Sequence, residues 1–182
     1  MLKTFIIRLK AILYTSYIKL RFGNKVILRG IIKPEGAISI VVEKNSKLII
    51  HGHITLRANS QILVRESAQC EIGKGVFINR NCSLVCRNSI VIGEETLIGE
   101  NVKIYDNDHK IVKNIPQKSL YDVEPIIIGK NVWLANDVNV LKGSIVPDYS
   151  VVGAMSLVNR KFTERGVYLG IPAKLKKRFI DE

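Results

Sequence analysis

The sequence predicts an all-β chain wound as a parallel β-helix, on three observations. Aliphatic residues recur at every sixth position through "IGKNVWLANDVNVLKGSIVPDYSVVGAMSLV", placing Ile128, Leu134, Val140, Val146, Val152 and Val158 in one series. The fourth residue after each anchor is small or β-branched: Val132, Val138, Ser144, Ser150 and Ser156. Hydrophobic residues make up 47% of the 182-residue chain and aromatics only 7%, so Ile, Val and Leu must fill the core, a β-rich signature. A helix cannot use this period, because six steps of about 100° scatter the anchors over several faces. A strand keeps residues six apart on one side, but one long strand buries nothing by itself. The chain must therefore turn after a few residues and present each anchor inward again. Three such edges close a coil of about eighteen residues, and coils stack at the ~4.8 Å strand spacing. Each buried Ile or Val then contributes roughly 1.5–3 kcal/mol before entropy is counted.

The elements follow in order. Residues 1–22, "MLKTFIIRLKAILYTSYIKLRF", stand apart from the rhythm. Leu2, Phe5, Ile6, Leu9, Ile12, Leu13 and Tyr17 fall at helical spacing, among Lys3, Arg8, Lys10, Lys19 and Arg21. This reads as an amphipathic helix, with no small-residue cleavage site of a secretory signal. It suits either an acidic membrane surface or packing on the domain or a neighbouring subunit. Residues 23–182 read as one β-helix domain. Residues 24–71 alternate with β-branched residues and carry turn signals at Asn45-Ser46 and Asn59-Ser60, which predicts less regular opening coils. The hexads start at Ile72, Ile78 and Leu84, and after a two-residue slip resume at Ile92, Ile98 and Ile104. They stop over about residues 106–125, which reads as one protruding loop, and restart at Ile128. From Phe162 the rhythm ends, and "GIPAKLKKRFIDE" reads as a turn followed by a short basic helix or tail.

The net charge of +12 and pI of about 9.7 imply an anionic partner or surface. No apolar stretch reaches the ~20 residues of a membrane span. Cys70, Cys82 and Cys86 have neither zinc spacing nor an even count, and read as reduced wall or core residues. The interruption is the informative segment: it opens "YDNDHKI" and carries His109. A neutral imidazole is suited to removing a proton near pH 7. Its second ring nitrogen needs a partner, and Asp106, Asp108 or a backbone carbonyl could each serve.

These hexads resemble the hexapeptide-repeat acyltransferases, and more specifically the galactoside, maltose and nodulation-type sugar O-acetyltransferases. The likeness rests on the "YDNDHKI" loop opening, the "IGKNVW" hexad after it and the closing "YLGIPAKLKKR", and spans roughly residues 70–178. It implies a left-handed β-helix, a homotrimer with active sites at subunit interfaces, and acetyl-CoA as co-substrate with no metal. It implies His109 as the general base for a saccharide hydroxyl, and Asn79 near the acyl group. Trp133 would line the donor channel. Ala135, Asn136, Gly153 and Ala154 would lie along the coenzyme groove, and Lys174 and Lys177 would meet its phosphates. Asp106 and Asp108 are further acceptor-side candidates. Arg87 stands where the family often has an acidic acceptor contact, a departure that suits an anionic glycan. The acceptor is expected to be a cell-surface glycan or its precursor, and the location cytoplasmic, at the inner membrane face if the helix binds lipid.

Other functions were weighed. A carbonic anhydrase of this fold needs three histidines on one metal, but His51 and His53 stand about three coils, roughly 15 Å, from His109. A non-catalytic scaffold or binding protein would need neither the histidine loop nor the basic tail. Xenobiotic and amino-sugar N-acetyltransferases of the same fold differ in the acceptor. Nucleic-acid binding finds no aromatic stacking platform among the basic residues.

Overall fold

The computed structural model describes residues 2–180; Met1, Asp181, Glu182 and the side chain of Lys3 lie outside the described residues. After the N-terminal helix Leu2–Phe22, the chain winds through three parallel faces in about six turns that match a left-handed β-helix. The first face holds strands Val26–Leu28, Lys47–Ile50, Gln69–Ile72, Ser89–Ile92, Ile126–Ile128 and Ile145–Val146. The second runs from Ile32–Glu35 through Ile54–Arg57, Phe77–Ile78, Leu97–Ile98, Trp133–Leu134 and Val151–Val152 to Gly166–Leu169. The third holds Ile38–Val42, Ser60–Val64, Ser83–Cys86, Lys103–Tyr105, Asn139–Leu141 and Leu157–Val158.

The predicted anchors form the core. Ile128, Leu134, Val140, Val146, Val152 and Val158 are all fully buried, and so are Val138, Ser144 and Ser150 at the corners. Immediately before each small corner residue, the backbone turns through the left-handed region: Asn101, Asn131, Asp137, Gly143, Tyr149 and Met155 all have φ between 52° and 73°. Asn, Asp and Gly tolerate this conformation best. The opening coils are regular, contrary to the looser winding expected of them. Val26 pairs with Leu48, Leu48 with Cys70, and the two coils share a spacing of 22 residues. After Val26–Leu28 their strands are longer, four or five residues where the coils from Trp133 to Val158 have two or three, so the six-residue rhythm is blurred while the register is not. The expected turn residues Asn45 and Asn59 both take positive φ, and Ser46 and Ser60 beside them are buried.

The N-terminal helix covers the open first coil, packing on Val26–Leu28 and Ile32–Glu35. Its inner stripe is Ala11, Ile18 and Phe22, with Thr15 Oγ accepting the Ile32 N–H at 2.9 Å. That stripe is not the one named from the sequence. Leu2, Phe5, Leu9 and Leu13 point outward, Leu2 74% and Leu13 61% exposed. The helix is apolar on two sides and only one has a partner in the chain. The C-terminal basic segment also differs from expectation: Lys174–Arg178 is a strand, antiparallel to Gly166–Leu169. It closes the second face, whose last edge would otherwise lie open.

The corner geometry yields a test. Asn131→Val is expected to lower stability by about 1–2 kcal/mol, because a β-branched residue resists the left-handed region, and Asn131→Gly to stay within about 0.5 kcal/mol. Urea denaturation of the two variants checks this.

Candidate active site

The interruption is a β-hairpin rooted at the corner between the third and first faces. Strands Asn107–Val112 and Ile115–Val123 pair antiparallel around Lys113 and Asn114, both at positive φ, as a two-residue hairpin turn requires. The root is held by Asp106. Its side chain is fully buried and accepts the backbone N–H of Arg87 and of Asn88, each at 2.8 Å, and Asn107 Nδ2 at 3.1 Å. Asp106 therefore ties the hairpin to the coil before it. The acceptor-side expectation for Asp106 thus meets a structural role instead: the carboxyl is fully buried and taken up by two backbone donors, and His109 is not among its partners. Asp108 is exposed and pairs with Lys142 Nζ at 3.3 Å.

His109 is exposed on the hairpin. A simple two-residue turn continues the pairing of Ile111 with Pro116 and would set His109 against Lys118. Instead the register slips at a bulge and His109 lies opposite Tyr121. The rings sit 4.7 Å apart between centroids. The displaced strand aims the Gln117 carbonyl at His109 Nδ1, 2.8 Å away. A carbonyl only accepts, so the neutral imidazole carries its proton on Nδ1 and offers Nε2 as the free base. Of the three orienting partners left open by the sequence, it is the backbone carbonyl that meets the ring. Tyr121 also lies under the Arg87 guanidinium, 3.5 Å from ring centroid to Cζ. Arg87 Nε is buried without a hydrogen-bond partner; an unpaired buried donor costs about 1–3 kcal/mol.

A second group lies elsewhere, on the second face and its corner with the third. Asn79, Phe77, Leu97, Gly99, Trp133 and Asn136 line a shallow depression of about 360 Å³. Asn79 Oδ1 accepts from Arg80 N–H and Arg57 Nη1, which leaves its amide N–H groups outward. Asn136 Oδ1 turns inward to the Glu100 N–H. Gly99, Ala135 and Gly153 follow one another up this corner, through Gly99 N–H to Leu134 O, Ala135 N–H to Val152 O and Gly153 N–H to Tyr168 O. A Cβ on Gly99 would meet the Ala135 carbonyl carbon at 2.7 Å, so the close stacking requires glycine there. Ala154 is exposed beside Gly153. In the outward row of the face, Trp133 pairs with Val151, Val151 with Val167 and Val167 with Lys177; Lys174 pairs with Leu169 at its edge. Lys174, Lys176 and Lys177 are exposed and have no acidic partner among the described residues. The expected donor-side residues thus share one wall. His109, Arg87 and Asp108 belong to the opposite corner.

The remaining candidates fall away on geometry. His51 and His53 occupy a corner rather than a strand face; His51 Nε2 meets Glu71 at 3.2 Å and His53 Nδ1 accepts the Ile31 N–H. No group of three or more His, Cys, Asp or Glu among the described residues could hold a metal. The three cysteines are free and buried, and burial pushes all three thiols above their ordinary range, so they are inert wall residues. A further concavity, about 490 Å³, lies between the N-terminal helix and the second face at Ile7, Arg8, Lys33 and His53, away from both groups. Tyr121, Gln117 and Lys142 were not foreseen. The sequence reading gave only a loop there, and a two-residue turn at Lys113-Asn114 would by itself give the wrong register.

A three-faced wall of coils interrupted by one histidine-bearing hairpin defines a class, and comparison with known proteins agrees with it. No family model matches the chain. It is 34% identical over 116 residues to the Escherichia coli K12 protein named "Putative lipopolysaccharide biosynthesis O-acetyl transferase WbbJ", covering 59% of each. It is 27% identical over 144 residues to the galactoside O-acetyltransferase of the same organism, covering 77% of this chain and 71% of that one. Among solved structures, the hexapeptide-repeat acetyltransferase VCA0836 of Vibrio cholerae, complexed with acetyl coenzyme A, superposes with a TM-score of 0.59 at 26% identity. That match covers 74% of this chain and 72% of the other. The chain spans about three-fifths of the length of WbbJ. Together these likenesses support the hexapeptide-repeat sugar O-acetyltransferase family for this chain.

The hairpin root is testable. Asp106→Ala is expected to cost about 2–4 kcal/mol by orphaning two backbone donors, and Asp108→Ala less than about 1 kcal/mol, as for an exposed ion pair. Denaturant midpoints of the two variants give the comparison.

Proposed function

We propose that the protein transfers an acetyl group from acetyl-CoA to a hydroxyl of a saccharide, with His109 as general base. The observation that carries this reading is the Gln117 carbonyl on His109 Nδ1, which leaves Nε2 free on a hairpin projecting from a rigid wall. In the proposed reaction, Nε2 takes the hydroxyl proton as the oxygen attacks the thioester carbonyl. The tetrahedral intermediate collapses, the carbon–sulfur bond breaks, and the imidazolium returns the proton to the departing thiolate. Asn79 would donate its free amide N–H toward the acyl oxygen. Trp133 and the Gly99–Ala135–Gly153 corner would receive the pantetheine arm. Lys174 and Lys177 would meet the phosphates as charge-assisted donors.

The donor wall and His109 lie at different places on one chain, so the proposed site is shared between copies in a homotrimer. Two apolar features favour such packing. Leu97 and Trp133 of the second face are 50% and 51% exposed, and Ile111, Ile115 and Leu120 of the hairpin are 65%, 63% and 52% exposed. Seating the hairpin of one copy against the second face of the next would bury both and bring Nε2 to the thioester.

The outward side of the N-terminal helix suits the inner face of an anionic membrane. Leu2, Phe5, Leu9, Leu13 and Leu20 are exposed along it, and the helix carries basic residues with no acidic one. No described helix is long and apolar enough to cross a membrane. A lipid-linked glycan precursor is the acceptor such a placement would serve, and a cytoplasmic location goes with it.

Two experiments follow. In a CoA-release assay with a saccharide panel, His109→Ala is expected to lose about 10²–10⁴ in kcat. Co-assembly of His109→Ala with Trp133→Ala chains is expected to recover part of the activity that each lacks alone. Full activity of His109→Ala would overturn the assignment, and no recovery would overturn the shared site. Separately, the protein is expected to co-sediment with vesicles containing acidic lipid and to stay in solution with neutral ones. Leu9→Asp with Leu13→Asp should abolish the sedimentation; if it persists unchanged, the helix is not the membrane contact.

A further inference from the structure

We propose that Arg87 recognises the acceptor and that the acceptor saccharide bears an anionic group, a carboxylate or a phosphate, close to the hydroxyl that is acetylated. This rests on the acetyl-transfer reading above. Strand pairing aligns Val42, Val64 and Cys86, so the next residues, Glu43, Arg65 and Arg87, follow one another at the corner where the hairpin is rooted. Glu43 is the one carboxylate in that column and Arg65 takes it, Nη1 to Oε1 at 2.7 Å. The other Glu43 oxygen accepts the Glu66 N–H at 2.9 Å. The Arg65 hydrogen bond holds the Glu43 carboxyl below its usual range.

Arg87 is left over. Its charge helps to lower the Glu43 carboxyl, but among the described residues its guanidinium makes no ion pair and no hydrogen bond, and its Nε, like that of Arg65, is buried without a partner. Asp106, the nearest acid in the winding, binds the backbone of Arg87 and Asn88 and is fully buried. Asp108 lies opposite Asp122 across the hairpin. Alternation along the strands turns that pair to the side away from His109 and Tyr121, and Asp108 meets Lys142 there. Negative charge is thus kept off the side where the base stands.

Tyr121 touches both actors. Its ring lies 3.5 Å from Arg87 Cζ and 4.7 Å from the His109 ring centroid. Stacking fixes the plane of the guanidinium, and its N–H edge remains to donate. A preset planar fork suits the two oxygens of a carboxylate or phosphate. A half-buried cation with no direct ion pair beside the proposed base is completed by an anion arriving with the substrate.

The test compares three oligosaccharides matched in backbone: neutral, uronic-acid-bearing and phosphorylated. CoA release is followed with the full wild-type chain, Arg87→Gln and Arg87→Lys. Wild type is expected to prefer an anionic acceptor, with the carboxylate and phosphate arms separating the two sources, and the preference should shrink as salt rises. Arg87→Gln should cut the anionic-to-neutral ratio of kcat/KM by about 10–100-fold, mainly through acceptor KM, and Arg87→Lys by less. A merely structural arginine would lower all three rates together and leave the ratio alone. Equal use of neutral and anionic acceptors by wild type, or an unchanged ratio in Arg87→Gln, overturns this inference and leaves acetyl transfer standing. CoA release that no saccharide stimulates overturns both.

Discussion

Every coil depends on the same corner: a residue in the left-handed region followed by a small, buried one. Asn131 before Val132, Asp137 before Val138 and Tyr149 before Ser150 repeat it. The turn reverses the chain in so few residues that strands of two or three suffice for a face. The anchors then arrive inside because there is no slack to send them elsewhere. The wall that results is rigid and nearly featureless, with backbone hydrogen bonds passing from coil to coil at about 2.9 Å. Such a wall offers surfaces but few cavities, and the concavities on it are shallow. Chemistry needs something that leaves the wall.

What leaves is the hairpin, and it leaves at a corner. Coils on either side of it are 36 residues apart where neighbouring coils elsewhere in this half are 18 apart, so the excursion fills one coil's length without disturbing the stack. Asp106 makes this possible by capping the backbone of the preceding coil at the exit point. The bulge then does two things at once. It moves Tyr121 opposite His109, and it turns the Gln117 carbonyl onto Nδ1. The imidazole is therefore held by backbone, whose position is set by the hairpin itself, and its tautomer does not depend on a neighbouring charge. The proposed function and the proposed anionic acceptor both draw on this one irregularity.

Charge is distributed to match. The helix has no acidic residue, the closing strand presents Lys174, Lys176 and Lys177 unpaired among the described residues, and Arg87 makes no direct ion pair there. Several basic residues of the coils are answered: Arg57 by Glu35, Arg65 by Glu43, Lys44 by Glu66. The net charge of +12 is thus not a uniform coat. Three of the places where it stands unpaired match one anion each of the proposed reaction: the lipid surface, the coenzyme phosphates and the acceptor.

The sequence by itself determined the coil, its inward anchors, the corner residues and the limits of the interruption, because each of these is a local pattern repeated until it cannot be mistaken. It also marked His109, the one histidine outside the coils, while the grouping of Trp133 with Ala135 and Gly153 came from the family resemblance. Tertiary structure alone decided which aspartate is buried, which carbonyl meets His109, that Arg87 lies on Tyr121, and which side of the helix faces the core. Those outcomes hang on a register slip between strands and on which surfaces remain uncovered once the coils have stacked. A slip of this kind reassigns every cross-strand neighbour without changing any local preference, so nothing in the six-residue rhythm records it.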